Sequence, residues 1–255
     1  MIEGIETGYE GKYDFPQRTQ APELVYLLAS VPRTGSTWLS HLLWQTGCLG
    51  APLEYLNFEQ AGPYGFANRS PSQQQWLWRS VLRRRTSPNG VFGLKCFPDQ
   101  LEYLQETNPE LLTEVLASVL SGKHPPRVIW LRRRDHVAHA ISLARAMLSG
   151  VWRQEQERGA EPRVDYSEAM VEQSARSIEQ QERAWQHMFR DVRVEPLELW
   201  YEDAVAATEE VALQVAQHLG VELILDAAVA APPIAKQAES DAREWRERYT
   251  QAKAG

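Results

Sequence analysis

Between Leu24 and Thr37 an apolar run ends in a short loop that opens directly into a helical pattern, and this junction limits the fold more than any other part of the chain. Leu24 to Ser30 has the length and apolar continuity of a buried strand. It is followed by Val31-Pro32-Arg33-Thr34-Gly35-Ser36-Thr37, after which Trp38, Leu39, Leu42 and Leu43 fall on one helical face. A helix starting there points unpaired backbone N–H groups and the positive end of its dipole at whatever occupies the loop, which suits an anion. Gly35 permits close backbone approach, Ser36 and Thr37 add hydroxyls, and Arg33 offers a planar fork matched to phosphate or sulfate oxygens. A plain capped strand-to-helix turn uses the same residue types, so the loop alone does not decide its purpose.

The rest of the chain repeats this alternation. Further strands are expected at Val91–Lys95, Arg127–Leu131 and Pro196–Tyr201. Helices are expected at Ser72–Arg84, at Asn108–Leu120 with an Asn cap and first-turn Pro, after Asp135, and at Ser167–Arg190. A single helix is expected from Asp203 to Leu219, stopped by Gly220. On the helix after Asp135, Ala140, Ile141, Leu143, Ala144 and Leu148 form the apolar side. Strands alternating with helices predict an α/β chain with a mostly parallel central sheet flanked by helices in three layers, and ligands at the carboxyl ends of the strands.

Residues 1–22 are polar and rich in glycine and read as a flexible N-terminal arm; 23–255 read as a single domain. The net charge of −7 argues against nucleic-acid or anionic-membrane binding, and no segment has the length and apolarity of a membrane span. With only Cys48 and Cys96, a disulfide framework is excluded and a reduced, cytoplasmic setting is expected. None of the six histidines has metal-site spacing, so no metal is expected, although His41, His136 and His139 lie near anion-binding segments.

The loop lacks the form GxxxxGK[ST]: Ser36, not Lys, follows Gly35. The Lys and magnesium arrangement of phosphoryl transfer is therefore missing. A transferring sulfuryl group carries less negative charge, and Arg, Lys and N–H donors can stabilise it without a divalent ion. A second basic segment, Arg132-Arg133-Arg134-Asp135, leaves the strand before it, and Ser142 lies about two turns into the next helix, where a hydroxyl can meet a phosphate held by one of the arginines.

Together these residues resemble a known family. PRTGSTW resembles the 5'-phosphosulfate loop of sulfotransferases, and RRRDHVAHAIS their 3'-phosphate segment. The ordered set LLASVPRTGSTWLSHLL, GAPLEY, PNGVFGLK, RRRDHVAHAISLARA, GVWR, EPLELWYED and KQAESDAREWRERY is similar to the Stf0 family. The resemblance implies a P-loop-like fold using 3'-phosphoadenosine 5'-phosphosulfate as co-substrate. Its 5'-phosphosulfate would lie against Arg33, Thr34, Gly35, Ser36 and Thr37, and its 3'-phosphate near Arg133 and Ser142. Lys236 and Gln237, with Trp245, Arg248 and Tyr249 beyond them, would lie over the nucleotide.

The resemblance also implies Glu54 as general base and Lys95 near the sulfate or acceptor. Tyr55, Arg145, Trp152 and Arg153 fall on its acceptor side or at a subunit contact, and a homodimer is permitted. Pro32 and Ala51 stand where the family's trehalose-sulfating pattern carries Gln and Glu. Both changes remove hydrogen-bonding groups, which argues against trehalose and leaves open whether the acceptor is another carbohydrate or a small molecule, and whether a hydroxyl or an amine is sulfated. Trp44, Tyr64, Trp76 and Trp78 are candidates for a different acceptor wall. A P-loop kinase or nucleotide hydrolase, and a non-catalytic nucleotide-binding relative, remain alternatives.

Overall fold

The computed structural model describes residues 7–60, 62–121, 124–152, 164–223 and 240–254. The chain builds β1 (Leu24–Ala29), α1 (Ser36–Gln45), α2 (Pro71–Arg84), β2 (Val91–Cys96), α3 (Pro98–Thr107), α4 (Pro109–Leu120) and β3 (Arg127–Arg132). It continues through α5 (His136–Ser149), α6 (Glu168–Asp191), β4 (Leu197–Trp200), α7 (Tyr201–Ala206), α8 (Thr208–Leu219) and α9 (Ser240–Ala254). The four strands pair in parallel in the order β2-β1-β3-β4.

Why the strands read as continuous apolar runs is clear from what covers them. Leu27 and Ala29 of β1, Phe92, Leu94 and Cys96 of β2, and Val128 and Trp130 of β3 face one core with side chains from α2, α4, α5 and α6. Tyr26 and Leu28, Val91, Ile129, Leu131 and Leu199 face a second core with Leu39 and Leu43 of α1 and Val211, Val215 and Leu219 of α8. With both faces buried, alternation has no solvent side to mark. Among the described residues no helix is long and apolar enough to cross a membrane.

The topology fixes where a ligand can bind. From β1 the chain crosses to β2 on one side, then returns past β1 to β3 on the other, so the strand order reverses between β1 and β3. Their ends are flush, with Ala29 opposite Trp130 and the Ser30 hydroxyl 3.4 Å from the Leu131 carbonyl. The loop carrying Arg33 and the turn carrying Arg133 therefore leave the sheet side by side at the crevice such a reversal creates.

Local signals set several helix ends. Asn108 accepts from the Leu111 N–H at 3.2 Å, Asp135 from Ala138 at 2.9 Å, and Ser167 from Met170 at 3.3 Å. Four expectations need correction. The helix expected over Asp203–Leu219 is two helices, because Ala207 leaves the helical region (φ −136°, ψ 62°) while ending α7 and capping α8. Leu148 is exposed rather than inward, lying in the last turn of α5 beyond its packed stretch. Trp44 and Trp78 are fully buried and Tyr64 nearly so: Trp44 meets Tyr13 and His41 edge-on and Trp78 meets Phe92, so they belong to the core and not to an acceptor wall.

The fourth correction concerns the expected loose arm. Tyr9 and Phe15 are buried, and Arg85, only 2% exposed, holds this segment by donating to the carbonyls of Gly8 and Glu10 at 2.8 and 3.1 Å and pairing with Asp14 at 2.9 Å. A buried guanidinium needs such partners.

Candidate active site

The loop after β1 is a tight turn. The Thr34 N–H reaches the Val31 carbonyl at 3.4 Å and its hydroxyl donates to the same oxygen at 2.6 Å, so Thr34, fully buried, uses its side chain to close the turn. Arg33 sits inside this turn at φ 67°, a left-handed conformation unfavourable for a side chain with a Cβ. His139 of α5 holds the loop from behind, its Nε2 lying 2.8 Å from the Pro32 carbonyl. Burial, first of all, pushes His139 down to about 4, so the neutral ring donates through Nε2.

Gly35 follows at φ 98°, with the ring of Tyr201 lying where a Cβ would be: an added methyl would come within 2.3 Å of Tyr201 Cδ2. Only glycine satisfies both the backbone and the ring. Ser36 then begins α1, capped by Gly35 without any side-chain hydrogen bond.

Arg33 and Ser142 come together. Arg33 Nε donates to the Ser142 hydroxyl at 3.1 Å and its NH1 donates to the Trp152 carbonyl. Arg133 donates to the Arg33 carbonyl at 3.3 Å and lies over the Tyr201 ring at 5.3 Å. Glu202 braces this turn by accepting from the N–H groups of Arg134 and Asp135, each at 3.1 Å, and these bonds hold its carboxyl below the ordinary range despite the opposing cost of burial. The two basic segments thus form one crevice. Tyr201, at the start of α7, is a shared wall whose role no periodicity reveals; its only signal is membership of the LELWYED stretch.

A second cluster forms beside α1. Gly50, at φ 73°, lets the following loop press on β2, where a Cβ would come 2.9 Å from the Gly93 nitrogen, and Gly93 is itself crowded by Tyr26 and Pro52. The loop can then pair Leu53 with Leu94 in parallel, the Lys95 N–H donating to the Leu53 carbonyl at 3.1 Å. This added pairing lays Glu54 against Lys95. The Lys95 ammonium, fully buried, contacts Glu54 Oε1 at 2.9 Å and Thr37 Oγ1 at 3.0 Å. Glu54 Oε2 accepts from Asn57 at 3.2 Å and Gln100 at 3.3 Å. Sequence reasoning missed these two amides, which differ from no ordinary polar residue until the loop and α3 meet.

Other sequence-predicted residues divide. Ala51 is buried and Tyr55 is core: its hydroxyl donates to the Ala51 carbonyl and its ring stacks on Phe92 at 5.5 Å. Pro32 is half-buried behind the loop, Arg145 is half-buried on α5, and Trp152 is exposed next to Arg33. Lys236, Gln237 and Arg153 lie outside the described residues. Trp245 is buried edge-on to Tyr166, and Arg248 lies 4.4 Å above that ring; α9 also packs on α5, where Arg246 pairs with the capping Asp135 at 2.6 Å. Among the described residues no group of three or more His, Cys, Asp or Glu side chains forms a metal-binding cluster.

The family model described as Stf0 sulphotransferase matches residues 25–252. Trehalose 2-sulfotransferase of Mycobacterium tuberculosis (strain ATCC 35801 / TMC 107 / Erdman) is 25% identical over 259 residues, covering 88% of this chain and 93% of that protein. The enzyme of the same name from Mycolicibacterium smegmatis is 25% identical over 257 residues with the same coverage. Among solved structures, the sulfotransferase domain of the Synechococcus PCC 7002 olefin synthase is 14% identical with a TM-score of 0.45, covering 92% of this chain and 98% of that one. Retinol dehydratase in complex with retinol and PAP is 15% identical with a TM-score of 0.41, covering 92% and 80%.

Proposed function

The chain belongs to the Stf0 sulphotransferase family, and from that premise we propose that it moves a sulfuryl group from 3'-phosphoadenosine 5'-phosphosulfate to a hydroxyl or amine of a carbohydrate or small-molecule acceptor. The observation that carries this reading is the Lys95 ammonium bridging the Glu54 carboxylate and the hydroxyl of Thr37, 2.9 and 3.0 Å away. It joins a carboxylate able to take a proton to the loop able to hold the reacting anion.

Both anionic ends of the donor have chemically matched residues. The N-terminus of α1, with Ser36, Thr37 and Arg33, suits the 5'-phosphosulfate, and Arg133 with Ser142 suits the 3'-phosphate. Bound there, the donor supplies the sulfuryl group. Glu54 would accept the proton of the attacking acceptor, while Lys95 and Arg33 would offset negative charge growing toward the departing phosphate. The products are the sulfated acceptor and 3',5'-adenosine bisphosphate, with the acceptor's proton on Glu54 before its loss to water. Glu54 is 14% exposed, enough for an acceptor to reach an oxygen while most water is kept away.

The polar groups near Glu54, Asn57 and Gln100, suit an acceptor that is itself hydrogen-bonding. With a non-polar Ala51 and Pro32 where the trehalose pattern is polar, that acceptor is expected to differ from trehalose. The test is incubation with donor and a panel of trehalose, glucose, small alcohols and amines in EDTA, following release of 3',5'-adenosine bisphosphate and product mass. Release only with added magnesium, or none with any acceptor despite tight donor binding, would overturn the proposal.

A further inference from the structure

Glu54 is held at two ends by different parts of the chain. Its carboxylate is fixed by Lys95, Asn57 and Gln100, but its main-chain N–H donates to the hydroxyl of Tyr9 at 3.0 Å. The Tyr9 ring lies edge-on to Tyr55 at 6.3 Å and to Tyr64 at 5.5 Å, so the contact to Glu54 comes from a buried, oriented ring. We propose that residues 7–15 form a clamp that positions the general base, with Tyr9 as the positioning residue. The inference rests on the reading of Glu54 as base and adds a second element to the site, 45 residues away in sequence.

The segment has the stiffness this role requires. Glu10 folds it on itself, its carboxylate accepting from the N–H groups of Thr7 and Gly8 at 2.8 Å each and from the Thr7 hydroxyl at 2.9 Å. These bonds hold the Glu10 carboxyl below its ordinary value against the opposing effect of burial. Arg85 then fastens the folded turn to the end of α2 through the carbonyls of Gly8, Glu10 and Tyr13 and through Asp14. The Phe15 N–H continues the attachment to the Arg84 carbonyl at 2.9 Å. Filling the core would need only the rings of Tyr9 and Phe15. A hydroxyl directed at the amide of Glu54 adds directional control, and proton transfer is sensitive to displacements well below 1 Å.

Tyr9→Phe keeps the ring and removes only the acceptor oxygen. Turnover is measured with the fastest acceptor of the panel or, failing one, as bisphosphate release to water. The variant should lower kcat roughly five- to tenfold, the scale of one lost hydrogen bond. The Kd for 3',5'-adenosine bisphosphate and the KM for the donor should stay within about twofold. In a Glu54→Gln background the same change should have little further effect, because the clamp acts through the carboxylate. A kcat within about twofold of the parent, or an undiminished effect in the Glu54→Gln background, overturns the proposal. Near-parental turnover of Glu54→Gln alone removes the base assignment and the clamp's catalytic role with it. A crippled Glu54→Gln beside an unaffected Tyr9→Phe removes only the clamp. Thermal unfolding of Tyr9→Phe confirms that the comparison is between folded proteins.

Discussion

The side chain of Arg33 donates from Nε to the hydroxyl of Ser142 at 3.1 Å, joining the loop after β1 to a helix 109 residues later. The contact merges two basic segments into one crevice and prevents either from being altered alone. Ser142→Ala should therefore weaken binding of 3',5'-adenosine bisphosphate about tenfold, by loss of a phosphate contact and release of Arg33 from its set orientation. Calorimetry on parent and variant measures this; equal affinities would place Ser142 outside the donor site.

Gly35 faces the ring of Tyr201. Gly35→Ala must force a methyl into that ring while holding φ at 98°, and the combined strain should cost about 2 to 3 kcal/mol in urea unfolding and abolish measurable donor binding. Adding Tyr201→Ala should recover part of the stability, because it removes the clash and leaves the backbone strain. No recovery would mean that the ring is not the obstacle.

Lys95 and Glu54 should behave as a coupled pair. Lys95→Met leaves a mostly buried carboxylate without its cation and is expected to cost about 3 kcal/mol. Combined with Glu54→Gln, the loss should be smaller than the sum of the two single losses, since neither variant residue carries a charge to strand. Strict additivity in denaturant titrations would show that the ion pair contributes little.

The pH dependence of stability has a definite sign at His139. Its folded value of about 4 lies below the ordinary 6.5, so the unfolded chain binds the proton first and stability falls as pH drops from 6.5 toward 4. The full effect is on the order of 3 kcal/mol. Asp99 acts in the opposite direction. It is exposed by area, but desolvation of its carboxyl, aided by Glu59 and Glu54, pushes it up to about 6, so its protonation favours the folded state as pH falls through that value. His139→Gln should flatten the acid decline between pH 6.5 and 4; an unchanged slope would exclude the buried ring as its source.

The strands, the strand-to-helix loop after β1 and most helices are legible because their causes are local. A strand buried on both faces leaves an apolar run, a cap leaves Asn, Asp or Ser, and a strand entering a helix leaves Pro-Arg-Thr-Gly-Ser-Thr. Where the cause is a distant partner, the same reasoning fails. Ala207 is a good helix former, yet it leaves the helical region between α7 and α8, and no local residue type marks the break. Trp44 and Trp78 look the same in sequence as Trp76, yet the first two fill the core and the third is 60% exposed. Residues 7–15 read as loose because their anchor, Arg85, is the last of three consecutive arginines and nothing local sets it apart.

By itself the sequence determined which segments form the sheet, where the first strand turns into a helix through Pro32 to Thr37, and which ordered motifs tie the chain to the Stf0 family. The tertiary structure decided which side chains meet: Lys95 with Glu54 and Thr37, Arg33 with Ser142, Gly35 with Tyr201, and Tyr9 with the amide of Glu54. The division follows from range. Propensity and periodicity act over one turn or one strand, whereas these contacts close long loops whose entropy cost is recovered only when the sheet, both cores and the glycine-permitted close approaches form together.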